Sequence, residues 1–341
     1  MREQAPEIDI TGTNGAHCDT LSSPALILLR VMAAPSISSG SWSRAGAALY
    51  TDVGQDQCLM TFAANGEYFV SSCSRGFRVW RAKDGQEVAT MEMEHVQCVA
   101  FSKDGKWIAA GTYWGKVFVW DAKAYKQTFT WNTDDVVRGL DFSPDATRLV
   151  VLGDRTATVL NITAKELALR LLRHEDAVAA KYSPRGDRIA TANRNSVRVH
   201  DSSDGHLLAE TPVKVTSRFN TGLLWSNDHL FAISENNIKQ IDATAGKVLS
   251  EWPVPDSNTS SCIAIPKHGA FIAHSANRTV TFWDTSTHTE LGHLDHSQDI
   301  YSISLSPDSR FLAIGGEREE ITIKRLSRIT VSTSLTGLLR A

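Results

Sequence analysis

The chain has 341 residues, 42% hydrophobic and 21% charged, with a formal net charge of −3. That length can bury a sizeable core, and the even charge balance argues against a dedicated nucleic-acid binder, which needs a basic excess to neutralise phosphates. Five cysteines, Cys18, Cys58, Cys73, Cys98 and Cys262, form no CxxC pair; this is the usage of a reducing, intracellular compartment, cytoplasmic or nuclear, rather than of a disulfide-stapled secreted domain.

Residues 1–51 carry no repeat and are rich in Ser, Ala, Gly and Thr, the composition of a short irregular N-terminal arm. Its apolar island, Ala25–Ala34 (ALILLRVMAA), contains Arg30 and follows Glu3, Glu7, Asp9 and Asp19. It is about half the length that spans a bilayer and lacks the basic start of a secretory signal, so it reads as a short helix or a sticky segment. Without such a signal, the glycosylation-like patterns at Asn161, Asn258 and Asn277 are taken as chance matches.

From about Asp52 one unit recurs seven times. Its anchor is a short turn after a β-like run: FAANG at Phe62, FSKDG at Phe101, FSPDA at Phe142, YSPRG at Tyr182, WSNDH at Trp225, IPKHG at Ile265 and LSPDS at Leu305, at steps of 39 to 43 residues. A second mark follows each anchor, an apolar run ending in Trp or a substitute, as in RVWR at Arg78, VFVWD at Val117, VRVHD at Val197 and VTFWD at Val280. A fixed period of this size implies an all-β, seven-bladed β-propeller over residues 52–341. The second unit shows four strands, Val96–Phe101, Trp107–Ala110, Lys116–Trp120 and Thr128–Trp131, the first two joined by a Lys-Asp-Gly turn. Runs such as VFVW, bulky at both alternating positions, fit strands covered on both faces by neighbouring blades. The last blade needs an outer strand to avoid an open edge. Ile329–Ser334 (ITVSTS) is the favoured candidate because it is β-branched, with Ala45–Thr51 (AGAALYT) as the alternative.

These anchors and Trp-Asp ends resemble the WD40-repeat family of WD40/YVTN-like propellers. Runs such as WIAAGTYWGKVFVWDAK and SPRGDRIATANRNSVRVHD resemble the WD40-type propellers of mushroom-forming fungi. The resemblance implies a blade-locking hydrogen-bond chain of loop His, second-strand Ser or Thr, turn Asp and third-strand Trp. His95, His174 and His296 stand near the His position. The Trp position reads Trp80, Trp120, Leu160, His200, Ile241, Trp283 and Lys324, and the Asp position Ser74, Trp114, Asp154, Arg194, Glu235, Asn277 and Arg318. The lock is therefore expected to be missing from most blades, leaving apolar packing to hold them.

There is no GxxxxGK[ST] loop, no GxGxxG after a strand and no HExxH. His288, His293 and His296 cluster in sequence, but the first two are an odd number apart and would face opposite sides of a strand. Inner strands offer Gln97, Arg138, Thr221, Ser261 and Tyr301 toward the channel mouth without a converging set of carboxylates. No catalytic residue, cofactor or metal site is expected, and a quinoprotein-type propeller enzyme is the alternative that such a set would have favoured.

The more informative residues fall in loops that a propeller gathers on one face. Arg75, Tyr113, Trp114, Arg155, Arg194 and Arg278 lie in turns between second and third strands, and Arg138 and Tyr301 begin inner strands on the same side. Arg, Trp and Tyr dominate interface energies, and the guanidinium fork suits carboxylates and phosphates. The plainer reading is that turn arginines are solvated, that Glu235, Glu317, Glu319 and Glu320 dilute their charge, and that Trp114 covers the neighbouring blade where the Asp is missing. The expected function is a non-catalytic scaffold, or a sensor or docking module, for a protein or peptide partner, acidic if the arginines are free. A nucleic-acid-binding propeller is a further alternative, which salt-dependent retention on a nucleic-acid column would distinguish. Limited proteolysis is expected to leave a compact body beginning near residue 50; rapid cutting inside the repeats would contradict the single ring.

Overall fold

The structure of the protein, a computed structural model, describes residues 59–326 apart from 64, 74, 134, 171–173, 217–220, 258–260 and 317–319. The described residues form twenty-seven strands in seven antiparallel sheets and no helix, so no helix among them is long and apolar enough to cross a membrane. Blade 1 is β1 (Met60–Phe62), β2 (Tyr68–Cys73), β3 (Gly76–Arg81) and β4 (Gln86–Glu92), and blade 2 is β5 (Val96–Phe101), β6 (Trp107–Thr112), β7 (Lys116–Asp121) and β8 (Lys126–Asn132). Blade 3 is β9 (Gly139–Phe142), β10 (Arg148–Leu152), β11 (Ala157–Asn161) and β12 (Glu166–Arg170). Blade 4 is β13 (Ala179–Tyr182), β14 (Arg188–Ala192), β15 (Val197–Asp201) and β16 (Leu207–Thr211). Blade 5 is β17 (Leu223–Ser226), β18 (His229–Ser234), β19 (Asn237–Asp242) and β20 (Lys247–Pro253). Blade 6 is β21 (Cys262–Ala264), β22 (Phe271–Ala276), β23 (Thr279–Asp284) and β24 (Glu290–Asp295). Blade 7 has three strands among the described residues, β25 (Ser302–Leu305), β26 (Phe311–Gly315) and β27 (Ile321–Arg325).

The seven-bladed, all-β expectation is borne out. Each innermost strand lies beside those of its neighbours, and β1 meets both β5 and β25, so the ring closes between blades 7 and 1. In blade 2 the first strand has the expected bounds and the other three run one or two residues further, because pairing continues to the turn, as at Gly111 opposite Val117. The expected arm, the closing strand Ile329–Ser334 and the alternative Ala45–Thr51 lie outside the described residues.

The repeated anchor is a turn whose Ser supplies two bonds at once. In blade 2 the Ser102 hydroxyl donates to Asp104 Oδ1 at 2.7 Å and accepts the Trp107 amide at 2.9 Å. In blade 7 Ser306 does the same with Asp308 at 2.6 Å and the Phe311 amide at 2.9 Å. Burial pushes the Asp104 carboxyl up, but the Ser102 hydroxyl and Lys106 amide outweigh it and hold it below the usual carboxylate range.

The core sits between the blades. Cys98, Ala100 and Ala109 of blade 2 pack on Leu140, Phe142 and Leu149 of blade 3. Val199 of blade 4 packs with Leu230 and Ile241 of blade 5, and Phe282 of blade 6 with Ile303 and Leu312 of blade 7. Phe69 and Trp80 of blade 1 join Phe311 and Ala313 of blade 7, which closes the ring by apolar contact. Phe69, Phe77, Phe142, Phe271 and Phe282 are fully buried. Burying a side chain of this size stabilises by about 1.5–3 kcal/mol.

The blade lock survives in fragments. The Trp80 Nε1–H donates to Ser71 Oγ at 2.8 Å in blade 1. In blade 4, His174 Nδ1 pairs with Thr191 Oγ1 at 2.8 Å, and Thr191 lies 3.4 Å from Nε2 of His200, which stands where Trp would be. The register places Ala110, Val151, Ala232 and Ile314 at the second-strand position of blades 2, 3, 5 and 7, where no hydroxyl is available. In blade 6 that position is His274, bonded to Ser261 Oγ at 2.7 Å, and the Trp283 Nε1 is buried without a hydrogen-bond partner among the described residues.

Burial lowers the pKa of both His174 and His274 to about 4, with the Arg198 charge adding to the effect at His174. The folded values lie below the 6.5 of a free imidazole, so the unfolded chain takes up protons first as pH falls. The contribution of these residues to stability is complete above about pH 6.5 and erodes toward pH 4. The melting temperature should therefore begin to fall as pH drops below about 6.5. A flat melting temperature between pH 7 and 5 would remove these imidazoles from the balance.

Candidate partner-binding rim

The turns between second and third strands and the loops from outer to inner strands are stitched together on one face. The Met93 amide donates to the Arg75 carbonyl at 3.0 Å, and the Tyr113 amide to the His95 carbonyl at 2.9 Å. The Thr133 amide donates to the Gly115 carbonyl at 2.7 Å. Asp135 Oδ2 then accepts the Arg155 amide at 3.0 Å. Arg75, Tyr113, Trp114 and Arg155 thus stand on one continuous run of hydrogen-bonded loops across blades 1–3.

Trp114 is the most exposed large hydrophobic side chain among the described residues, at 65%, and Tyr113 beside it is 38% exposed. Its indole meets Tyr113 edge-on at 5.2 Å and 87°, and His95 at 5.5 Å and 85°, the arrangement that aromatic quadrupoles favour. An indole this exposed does not fill the place of the missing Asp. Its base is fixed from below by Gly115, whose φ of +74° suits glycine and whose Cβ, if present, would lie 2.8 Å from the carbonyl oxygens of both Thr133 and Asp135. Thr133 Oγ1 also donates to the Gly115 carbonyl at 3.0 Å.

The arginines divide into two groups. Arg138 is paired with Asp154, and that hydrogen bond holds its guanidinium more firmly protonated. Arg278 is paired with Asp299 at 3.0 Å. Arg75, Arg155 and Arg194 are exposed and form no ion pair among the described residues. Tyr301 is half-buried where β25 begins, its amide donating to the Gly315 carbonyl at 2.8 Å. Of the eight expected residues, Arg75, Tyr113, Trp114, Arg138 and Arg155 are gathered over blades 1–3. Arg194 belongs to blade 4, Arg278 to blade 6 and Tyr301 to blade 7. His95 adds a member that sequence reasoning assigned to the blade lock; it is exposed, with a φ of 58°, and turns toward Trp114.

The central channel holds a cavity of about 190 Å³ whose polar lining includes Thr61, Asp141, Lys181, Thr221, Ser302 and Ser304. Of the residues expected at its mouth, only Thr221 lines it. Asp141 Oδ2 accepts the Tyr182 amide at 2.8 Å. The three clustered histidines diverge: His288 stacks on Trp252 at 4.3 Å, His293 meets Glu290 at 3.2 Å, and His296 bonds Thr322 at 3.1 Å. Asp201, Asp204 and His206 do converge on a surface turn, where Asp204 already pairs with His206 at 2.7 Å and Asp201 accepts the Ser203 amide at 2.7 Å.

The family described as "WD domain, G-beta repeat" matches residues 85–121 and 286–319. Each matched stretch runs from the outer strand of one blade into the inner strands of the next, across blades 1–2 and 6–7. These two stretches match WD40 repeats, and the ring that contains them is a seven-bladed β-propeller. The chain is similar to eukaryotic translation initiation factor 3 subunit I of Sclerotinia sclerotiorum, 23% identical over 284 residues that cover 73% of this chain and 84% of the relative. The Neurospora crassa subunit is 21% identical over 73% of this chain and 82% of its own length. Among solved structures, the WD40 repeats of RRP9 superpose with a TM-score of 0.71 at 17% identity, covering 81% of this chain and 96% of that one. The Myceliophteria thermophila Cps50 (Swd1) β-propeller domain gives 0.67 at 15% identity, covering 80% and 96%. These two establish the shared fold.

Gly115→Ala should destabilise the protein by about 1–3 kcal/mol, because the new methyl meets backbone oxygens that cannot move aside and the φ is unfavourable. Thermal or denaturant unfolding measures it; a neutral substitution would mean that the turn beneath Trp114 is not constrained.

Proposed function

We propose that this propeller is a non-catalytic protein-interaction scaffold that receives a protein or peptide partner on the rim of blades 1–3, with Trp114 as the anchor. The carrying observation is a rigidly based indole, 65% exposed and braced by two other rings, since exposed aromatics held in one rotamer cost little entropy on binding. Arg75 and Arg155 flank it, and with Arg194 they offer guanidinium forks to an acidic segment. Arg138 and Arg278 contribute less, because Asp154 and Asp299 already occupy them. Tyr301 adds a contact only for a partner long enough to cross the mouth. The similarity to a translation-factor subunit supports the reading, since a subunit by that name works within an assembly.

The test is affinity capture with the full chain against Trp114→Ala, followed by titration with the captured partner. Trp114→Ala should weaken binding by at least about 1 kcal/mol, and Arg155→Ala should weaken it less and in a salt-dependent way. Unchanged affinity when Trp114 and Arg155 are both replaced would move the site off this rim.

A further inference from the structure

The exposed large aliphatic side chains among the described residues are Leu167, Leu207, Leu208, Val248 and Leu249, between 39% and 52% exposed. All lie on the outer strands of three consecutive blades, β12, β16 and β20. The register explains the grouping. The outer-strand residue opposite the Trp position is Glu87, Gln127 and Glu290 in the blades that keep Trp80, Trp120 and Trp283. It is Leu167, Leu207 and Val248 in the blades where Leu160, His200 and Ile241 replace Trp. A bulge beside each pair turns a further residue outward, Leu208 in blade 4 and Leu249 in blade 5, where blades 1 and 2 have Val88 and Thr128. The strips of blades 4 and 5 adjoin: a Cβ on Gly246, two residues before Val248, would lie 3.3 Å from the Ala209 Cβ of β16. Side chains this exposed do not fill the space a missing Trp leaves; they form an uncovered aliphatic belt at the end of the blades opposite the Trp114 rim.

We propose that this belt is an intramolecular docking site for the segment Ala25–Ala34 of the same chain. That segment is the longest apolar run in the sequence and is aliphatic like the belt. Its Arg30 can meet Glu166, which is exposed next to Leu167 and forms no ion pair among the described residues. The reach suffices: residues 35–58 span at most roughly 80 Å when extended. A path from β1 across the mouth, out over blade 4 and down its edge is on the order of 50 Å at ordinary strand spacings.

Hydrogen exchange on the full chain tests this. The amides of Ala25–Ala34 should exchange at least about tenfold more slowly than in a synthetic peptide of the same residues. Leu208→Lys with Leu249→Lys should abolish that protection while leaving the melting temperature within a few degrees, since both side chains are exposed. Val88→Lys, at the equivalent bulge of blade 1, should preserve it. An unprotected segment, protection that survives the double substitution, loss with Val88→Lys, or protection that grows with protein concentration would each overturn the proposal, the last in favour of a second copy of the chain.

Discussion

Apolar packing between neighbouring blades is the constraint on which the rest of this protein depends. No blade can bury both faces of its own sheet, so the inner strands are covered on both sides by neighbouring blades while the outer strands face solvent, and every blade completes the core of the next. The final contact, Phe311 and Ala313 against Phe69 and Trp80, turns a row of sheets into a ring. Because that packing carries the stability, the hydrogen-bond lock could erode to a Ser71–Trp80 pair and a His174–Thr191–His200 chain without loss of the fold. Apolar residues at the vacated positions avoid the cost of burying unpaired donors. Trp283, whose indole N–H is unpartnered among the described residues, shows what remains when only one partner is replaced.

Freedom from the lock also changes the surface. Position 114 aligns with the Asp of the lock; as Trp it projects from the rim instead of reaching into the blade, and the loop imidazole of His95 turns outward to meet it. At 65% exposure the Trp114 indole is open to solvent instead of packed in the core. In the same way, the outer strands of blades 3–5 carry Leu or Val opposite the lost Trp positions, so the loss changes the rim and the side of the ring.

Much of the fold was legible because its signals are local. The Ser-x-Asp anchors bond within a few residues, and the strands of blade 2 follow directly from turn chemistry and alternation. What escaped was pairing between loops. The pairs Arg138–Asp154 and Arg278–Asp299 are not legible in the sequence, because the partners lie sixteen and twenty-one residues apart and meet only through register. The loop position of His95 fits the lock, while its imidazole meets the Trp114 ring on the following turn. Thr191 could be recognised as a lock hydroxyl only once His200 was known to stand opposite its strand. Of the residues suggested by the turns, Arg75, Tyr113, Trp114, Arg138 and Arg155 lie together over blades 1–3, with Arg138 paired to Asp154.

Partner-induced protection across the ring bears most directly on this account. Hydrogen exchange of the full chain, free and saturated with its captured partner, should slow in the loops at 93–95, 113–115 and 133–135 and stay unchanged in the turns at the opposite end of the same blades. Protection confined to that opposite end, with the Trp114 turn untouched, would contradict it.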